Sequence, residues 1–389
     1  MNAHVAVIGA QPVGLCTALG LALRGIQVTL VAVESDDASC LQFVHNWSVL
    51  PGLDALGVLT DAREAGSSET HVGIRIAQTG ETIDLDLGVL SSDVPFPFNL
   101  HLEDARLSEI LLAHLLRLPE AEIVYAESVR GVRQDESEVV VDCASHDGPR
   151  SIRVDWLVAA DGTNSTVRRL LGVGFPGFTW RERSVSMLVT PHDVTPDLRP
   201  TTFLVGVERS ALLQKADSGR WLCAFTESME LPEASLADRL APVTGSLLGA
   251  ERSTVHSWAA ARMHHRSAAN YRVGRVLLTG AAAHVTNRLV GHSSITGFFD
   301  SFRVVEALEA MVNHGAPDCV LDNWAHSRRR VFLDDVAPLS SSRKQLLSLD
   351  REELEIELDY YRGTASSPEA LREMLLVNLA LAGDSPLPG

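Results

Sequence analysis

Gly9-Ala10-Gln11-Pro12-Val13-Gly14 is the stretch that decides the fold. Before it stands His4-Val5-Ala6-Val7-Ile8, a short β-branched apolar run that suits a parallel strand buried on both faces. After it, Val13, Leu15, Leu19 and Leu23 fall on apolar helical faces, and the helix ends near Gly25. Residues 28–33 form the next buried strand. Strand, turn, helix and strand together span about 30 residues, the size of a βαβ crossover. A glycine turn of this kind lets backbone N–H groups at the helix N-terminus approach an anion. Gly9 and Gly14 also serve the tight turn and the helix–strand packing, which the fold needs with or without a ligand.

Outward from this unit, residues 71–98 alternate until the break at Pro95 and Pro97, and an amphipathic helix is expected over 102–116. Strands are expected at 122–126, 138–143 and 152–160, the last entering the turn Asp161-Gly162. Residues 180–265 read as strands broken by turns such as Asp217-Ser218-Gly219. Val276-Leu277-Leu278 is another buried strand, and from about 296 the pattern is helical. The expected fold is α/β: a Rossmann-like domain from residues 1–179 and 266–345, an inserted mixed sheet at 180–265, and a helical segment at 346–389.

The 389 residues are 46% hydrophobic, ample for a large core. The net charge of −17 argues against nucleic-acid binding and against anionic membrane surfaces. Lys215 and Lys344 are the only lysines, so arginine carries nearly all the positive charge, a bias expected of a GC-rich bacterial genome. Five cysteines without a CxxC pair read as reduced thiols. No signal peptide and no membrane-spanning apolar run is evident, so a cytoplasmic location is expected.

Three stretches in register resemble the para-hydroxybenzoate hydroxylase family of FAD-dependent aromatic monooxygenases. They are the turn at 9–14; Val158-Ala159-Ala160-Asp161-Gly162 with Ser165, Val167 and Arg168; and Gly274-Arg275-Val276-Leu277-Leu278-Thr279-Gly280 running into His284. Leu321-Asp322-Asn323-Trp324 through Arg328-Arg329 is a weaker echo. The resemblance covers almost the whole chain and implies a hydroxylase-type FAD-binding fold.

The same comparison exposes departures. Gln11 stands where the family has glycine, and Ala32 where the second strand ends in a ribose-binding carboxylate. Glu34, two residues on, could substitute for it. Ala281 replaces the family's ribityl-contacting aspartate. Asn287 and Arg288 replace two prolines, and His292, Ser293 and Ile295 replace Gln, Gly and Asn. Asp104 falls where the family often has Gln or Arg near the phosphates, and an ionised acid there would repel a diphosphate. Losing three or four hydrogen bonds of about 1–3 kcal/mol each would weaken a cofactor by several powers of ten.

These departures lead to the expectation of no cofactor, with FAD as the less favoured alternative, held through Gly9, Gly14, Glu34 and Asp161. The expected function is a flavin-free cyclase or pericyclase, isomerase, dehydratase or hydrolase in bacterial secondary metabolism. Its substrate would be a small, apolar, polyketide-like intermediate. An atypical FAD- and NAD(P)H-dependent aromatic monooxygenase is the alternative, and a non-catalytic binding or partner subunit a second one. His284, Asn287, Arg288 and His292 form the candidate catalytic set, since imidazoles titrate near neutrality and a guanidinium can hold an oxyanion. His45 and Trp47, beside the expected flavin space, and Phe203, Trp221 and Phe225, on the inserted strands, are the candidate substrate contacts. Each also has a plainer reading, as core packing or as loop drift. His264-His265 lacks ligand spacing and reads as an exposed turn, not a metal site. Oligomeric state is left open.

Overall fold

The computed structural model describes residues 3–33, 43–146, 148–193, 198–206, 210–216, 219–249, 252–347 and 351–387. The opening unit folds as β1 (His4–Ile8), α1 (Pro12–Ala22) and β2 (Gln27–Val33), followed later by α2 (Asp104–Leu115) and β3 (Trp156–Ala159). Their sheet has six strands in the order Arg272–Val273, Val276–Leu278, β3, β1, β2, Ala121–Ala126. All neighbours run parallel except the edge pair Arg272–Val273 and Val276–Leu278. Val5, Ala6, Val7 and Ile8 are fully buried, as an apolar run covered on both faces requires.

The chain leaves β1 toward β2 on one side and returns as β3 on the other, so a topological switch lies at the carboxyl ends of β1 and β3. Gly9 sits there with φ +113°, and a Cβ on it would lie 2.4 Å from the Ala160 carbonyl oxygen. A Cβ on Gly14 would lie 2.0 Å from the carbonyl oxygen of Gly9. Both glycines are therefore dictated by the packing of turn, helix and β3. A surface depression beside His4, Gln27 and Glu120 lies at the opposite, amino-terminal end of these strands.

The second sheet is larger than the expected insertion at 180–265. It is built on β4 (Gly177–Pro191), β5 (Thr201–Val205), β6 (Ala211–Lys215), β7 (Trp221–Ser228) and β8 (Ser253–Ser267). In eight-stranded order it runs His284–Val285, β8, β4, β7, β6, β5, His71–Ile76, Thr82–Asp86. The hairpin from residues 71–86 joins from the first segment, with His71–Ile76 parallel to β5. Alternation marks a strand but not its partner, so this pairing was invisible in the sequence. One face packs under α3 (Leu236–Leu248) through Val185, Met187, Leu213, Cys223 and Phe225. The other face carries the register row Phe203, Leu212, Ala224, Ser186, Ala259, small at its centre.

Two helices complete the frame, α4 (His292–His314) and α5 (Cys319–Val331). Asp300 of α4, fully buried, ties them to the glycine turns. Its Oδ1 accepts from Arg328 Nε at 2.6 Å, and its Oδ2 accepts from the Gly280 N–H at 3.0 Å and meets His284 Nε2 at 2.6 Å. Arg328 in turn donates to the Leu381 and Ala382 carbonyls and to Thr296 Oγ1. Burial alone would raise the Asp300 carboxyl; the charges and hydrogen bonds of His284 and Arg328 outweigh it and hold the group below its ordinary range. Among the described residues, no helix is long and apolar enough to cross a membrane.

Removing one partner of this enclosed pair strands the other. Asp300→Ala is expected to cost about 3–5 kcal/mol, read as a large fall in denaturant midpoint, with Asp300→Asn costing less. An unchanged midpoint in Asp300→Ala would show that the node carries no stability.

Candidate active site

Helices α1 and α4 lie side by side and run the same way. A Cβ on Gly297 would meet Val13 at 3.2 Å, Thr17 Oγ1 donates to Ser301 Oγ at 2.9 Å, and a Cβ on Gly20 would meet Val305 at 3.0 Å. Successive turns of one helix thus pair with successive turns of the other. Both N-termini point to the same place, beyond the carboxyl ends of β1 and β3. Neither is capped by a side chain: Gln11 and Gly291 occupy the cap positions and make no capping bond. Gln11 is exposed on extended backbone, φ −89° and ψ 169°, so glycine is not required there by conformation. Gly280, with φ +55°, brings the third glycine turn against Val13. Two parallel helix dipoles ending without a side-chain cap make the place favourable to an anion.

Buried polar atoms without a partner in the protein surround this place. They include His45 Nδ1, Asp104 Oδ1, Asp161 Oδ1, His284 Nδ1, Asn287 Oδ1 and His292 Nδ1. Such orphans are rare in folded proteins, and a concentration of them marks where a ligand's polar atoms are missing. Asp161 accepts from the Val167 N–H through Oδ2 at 3.0 Å, and burial raises its carboxyl.

The expected catalytic set divides. His284 is fully enclosed, held by Asp300 through Nε2 and stacked on Phe332 at 4.6 Å, with Nδ1 unpaired. Asn287 donates through Nδ2 to the Ser340 carbonyl at 2.8 Å, which fixes its Oδ1 as an unpaired acceptor. His292, 7% exposed, stands in the first turn of α4, and burial followed by the Arg343 cation pushes its imidazole down to about 4. It is a neutral imidazole at physiological pH. Arg288 is half-buried in the short turn Arg288–Val290, whose Leu289 packs on Leu212, Ala224 and Met263 of the sheet.

The expected substrate contacts also divide. Phe203 shares the sheet face that meets this turn. Trp221 and Phe225 alternate onto the opposite face, against α3, so they belong to core packing. Trp47 packs with Leu87, Leu90 and Leu375, away from the sheet. His45 stays at the site, edge-on to Phe298 of α4 with centroids 5.8 Å apart. Glu34 lies outside the described residues.

Several neighbours went unread in the sequence. His265 is no exposed turn; it lies on β8, stacked on Phe178 at 4.9 Å and edge-on to Trp180. Lys344, buried, pairs with Glu182 at 2.6 Å over the Trp180 ring. Arg343 donates to the Tyr361 hydroxyl. No local motif joins residues so far apart in sequence; the register of β4 with β8 and the docking of the C-terminal helices bring them together.

Residues 2–336 match the family described as the FAD binding domain. The 6-hydroxy-3-succinoylpyridine 3-monooxygenase of Pseudomonas putida is 36% identical over 358 residues, 88% of this chain and 88% of the relative. The para-nitrophenol 4-monooxygenase of a Pseudomonas species is 33% identical over 344 residues, 87% of this chain and 85% of the relative. The crystal structure of p-nitrophenol 4-monooxygenase from Pseudomonas putida superposes over 98% of both chains, with a TM-score of 0.93 at 30% identity.

These findings overturn two expectations: that the chain dispenses with a cofactor, and that its chemistry is flavin-free cyclisation, isomerisation, dehydration or hydrolysis. The physical reason is visible in the site. Ala281 and Ile295 are losses of polar side chains and Gln11 is an added, exposed one, whereas the paired helix ends present their dipoles through the backbone. The uncapped ends and the orphaned polar atoms fit a diphosphate-bearing, hydroxyl-rich group such as FAD.

The two positions of the first turn separate fold from ligand. Gly14→Ala forces a Cβ onto a backbone carbonyl and is expected to destabilise by about 3 kcal/mol. Gln11→Gly is expected to change stability by less than about 0.5 kcal/mol, since no capping bond is lost. Thermal melts of the two variants check this, and equal effects would contradict it.

Proposed function

This chain belongs to the FAD binding domain family of para-hydroxybenzoate hydroxylase-type monooxygenases, and from that premise we propose that it is a single-component, FAD- and NAD(P)H-dependent hydroxylase of small phenolic or hydroxypyridine rings. The observation that carries the proposal is the likeness over 98% of both chains to a p-nitrophenol 4-monooxygenase. The names of the para-nitrophenol and 6-hydroxy-3-succinoylpyridine relatives support a single-ring substrate for this chain.

Bound FAD supplies a carrier for two electrons from NAD(P)H and the activation of dioxygen. The chain's own residues do the rest. The first turns of α1 and α4 offer N–H groups to the cofactor's anionic oxygens, and Gly291 leaves the cap of α4 free of a side chain. The Phe203, Leu212, Ala224, Ser186 and Ala259 row floors an aromatic slot, with Leu289 and Met263 keeping water out. Asn287 Oδ1 accepts from a ring hydroxyl and so orients the ring. His292, neutral, offers its Nδ1 as a second polar contact, and Arg343 beside it favours an anionic ring substituent or phenolate.

The protein purified with FAD should be yellow and should oxidise NAD(P)H faster when a substituted phenol or hydroxypyridine is added, with a hydroxylated product. A protein that takes up no flavin, or whose NAD(P)H oxidation ignores every such ring, would sink the proposal. His292→Ala should lower kcat/KM for the ring by about 10- to 100-fold, the worth of one charge-assisted hydrogen bond, while FAD affinity stays unchanged. Unaltered kcat/KM would remove His292 from the substrate site.

A further inference from the structure

Asp104 opens α2, which packs along α1, and its carboxyl lies beside Cys16 of α1 and His45. Its Oδ1 is buried and accepts no hydrogen bond, although the side chain keeps about a fifth of its surface toward solvent. His45 Nε2 is 3.7 Å away, too far for a hydrogen bond. That nitrogen is committed elsewhere: it lies 3.0 Å from the Leu102 carbonyl, which can only accept, so Nε2 carries the ring proton. His45 Nδ1 is then a bare acceptor, itself buried and unpaired on a fully enclosed side chain. Two unpartnered polar groups, one acid and one imidazole, thus stand together between Cys16 of α1 and Phe298 of α4.

The titratable groups facing Asp104 do not favour its charged form. Burial, then the neighbouring Glu103, pushes the carboxyl up to about 7. Burial pushes His45 down to about 4, and the nearby His101 is lowered by burial too, so neither ring is a cation at neutral pH. Burial and the Asp104 charge push the Cys16 thiol up, so it stays protonated. An ionised Asp104 would repel a diphosphate, whereas a protonated carboxyl is a hydrogen-bond donor.

We propose that Asp104 grips FAD as a neutral carboxylic acid, donating to a cofactor oxygen beside the His45 ring, so that cofactor binding takes up a proton. This rests on the FAD-dependent reading above and adds to it a polar contact and a pH dependence. The acid that counts against a cofactor when read as a charge becomes one of its donors. The sign follows: binding favours the protonated acid, so affinity is full below pH 7 and falls as pH rises above it.

The test is FAD binding to the apoprotein, followed by fluorescence quenching between pH 6 and 9. The wild-type Kd should be flat below pH 7 and rise about tenfold per unit above it. Asp104→Asn keeps a neutral donor, so its Kd should be flat throughout and about tenfold or more tighter than wild type at pH 8.5. Asp104→Ala should be flat and weaker than Asp104→Asn at every pH, with circular dichroism melts confirming that both variants fold. A flat wild-type profile, or the wild-type slope persisting in Asp104→Asn, overturns this inference alone. Absence of FAD binding at every pH overturns the monooxygenase proposal and this inference with it.

Discussion

The parallel packing of α1 against α4 is the constraint on which the rest of the structure depends. Helix dipoles placed side by side in the same direction repel, and two uncapped ends together leave several N–H groups unmet. The arrangement persists because small residues let the helices approach, at Gly297 against Val13 and Gly20 against Val305, and because Thr17 bonds Ser301 across the contact. Asp300, one residue before Ser301, then fixes the third glycine turn through the Gly280 N–H and anchors the C-terminal segment through Arg328. An anionic ligand at the shared end relieves the unfavourable part of this geometry. Fold and cofactor site are one design.

Much of that fold was legible in the sequence. The turn at 9–14, the strand into Asp161-Gly162 and the strand into Gly280 are local patterns, and each sits where the spacing put it, at a carboxyl end of the parallel sheet. The second sheet was legible only in part. Alternation marked its strands, but nothing local says that residues 71–86 pair with β5, or that a shift in the β4–β8 register sets His265 on Phe178. Period-two alternation alone also could not say which face meets the site. Phe203 and Phe225 look alike as strand aromatics, yet one turns to the site and the other to α3.

The site was legible as a segment and misjudged as chemistry. Residues 284–292 do lie at the convergence of the helix ends, but His284 is tied by Nε2 into the Asp300 node, and His284, Asn287 and His292 each keep an unpaired polar atom. The inference of cofactor loss counted side chains at Gln11, Ala281 and Ile295 and gave no weight to backbone N–H groups, which sequence does not display. It also took Asp104 as an ordinary charged acid, whereas burial raises its carboxyl to about 7.

The central claim is that backbone at two parallel helix ends holds FAD in a chain whose side-chain contacts have been largely replaced. A crystal structure of the protein grown with FAD tests it most directly. The expected result is flavin density with its diphosphate against the first turn of α1 and its ring system beside the first turn of α4. Density showing that space filled by Gln11 and neighbouring side chains, with no flavin bound, would contradict it.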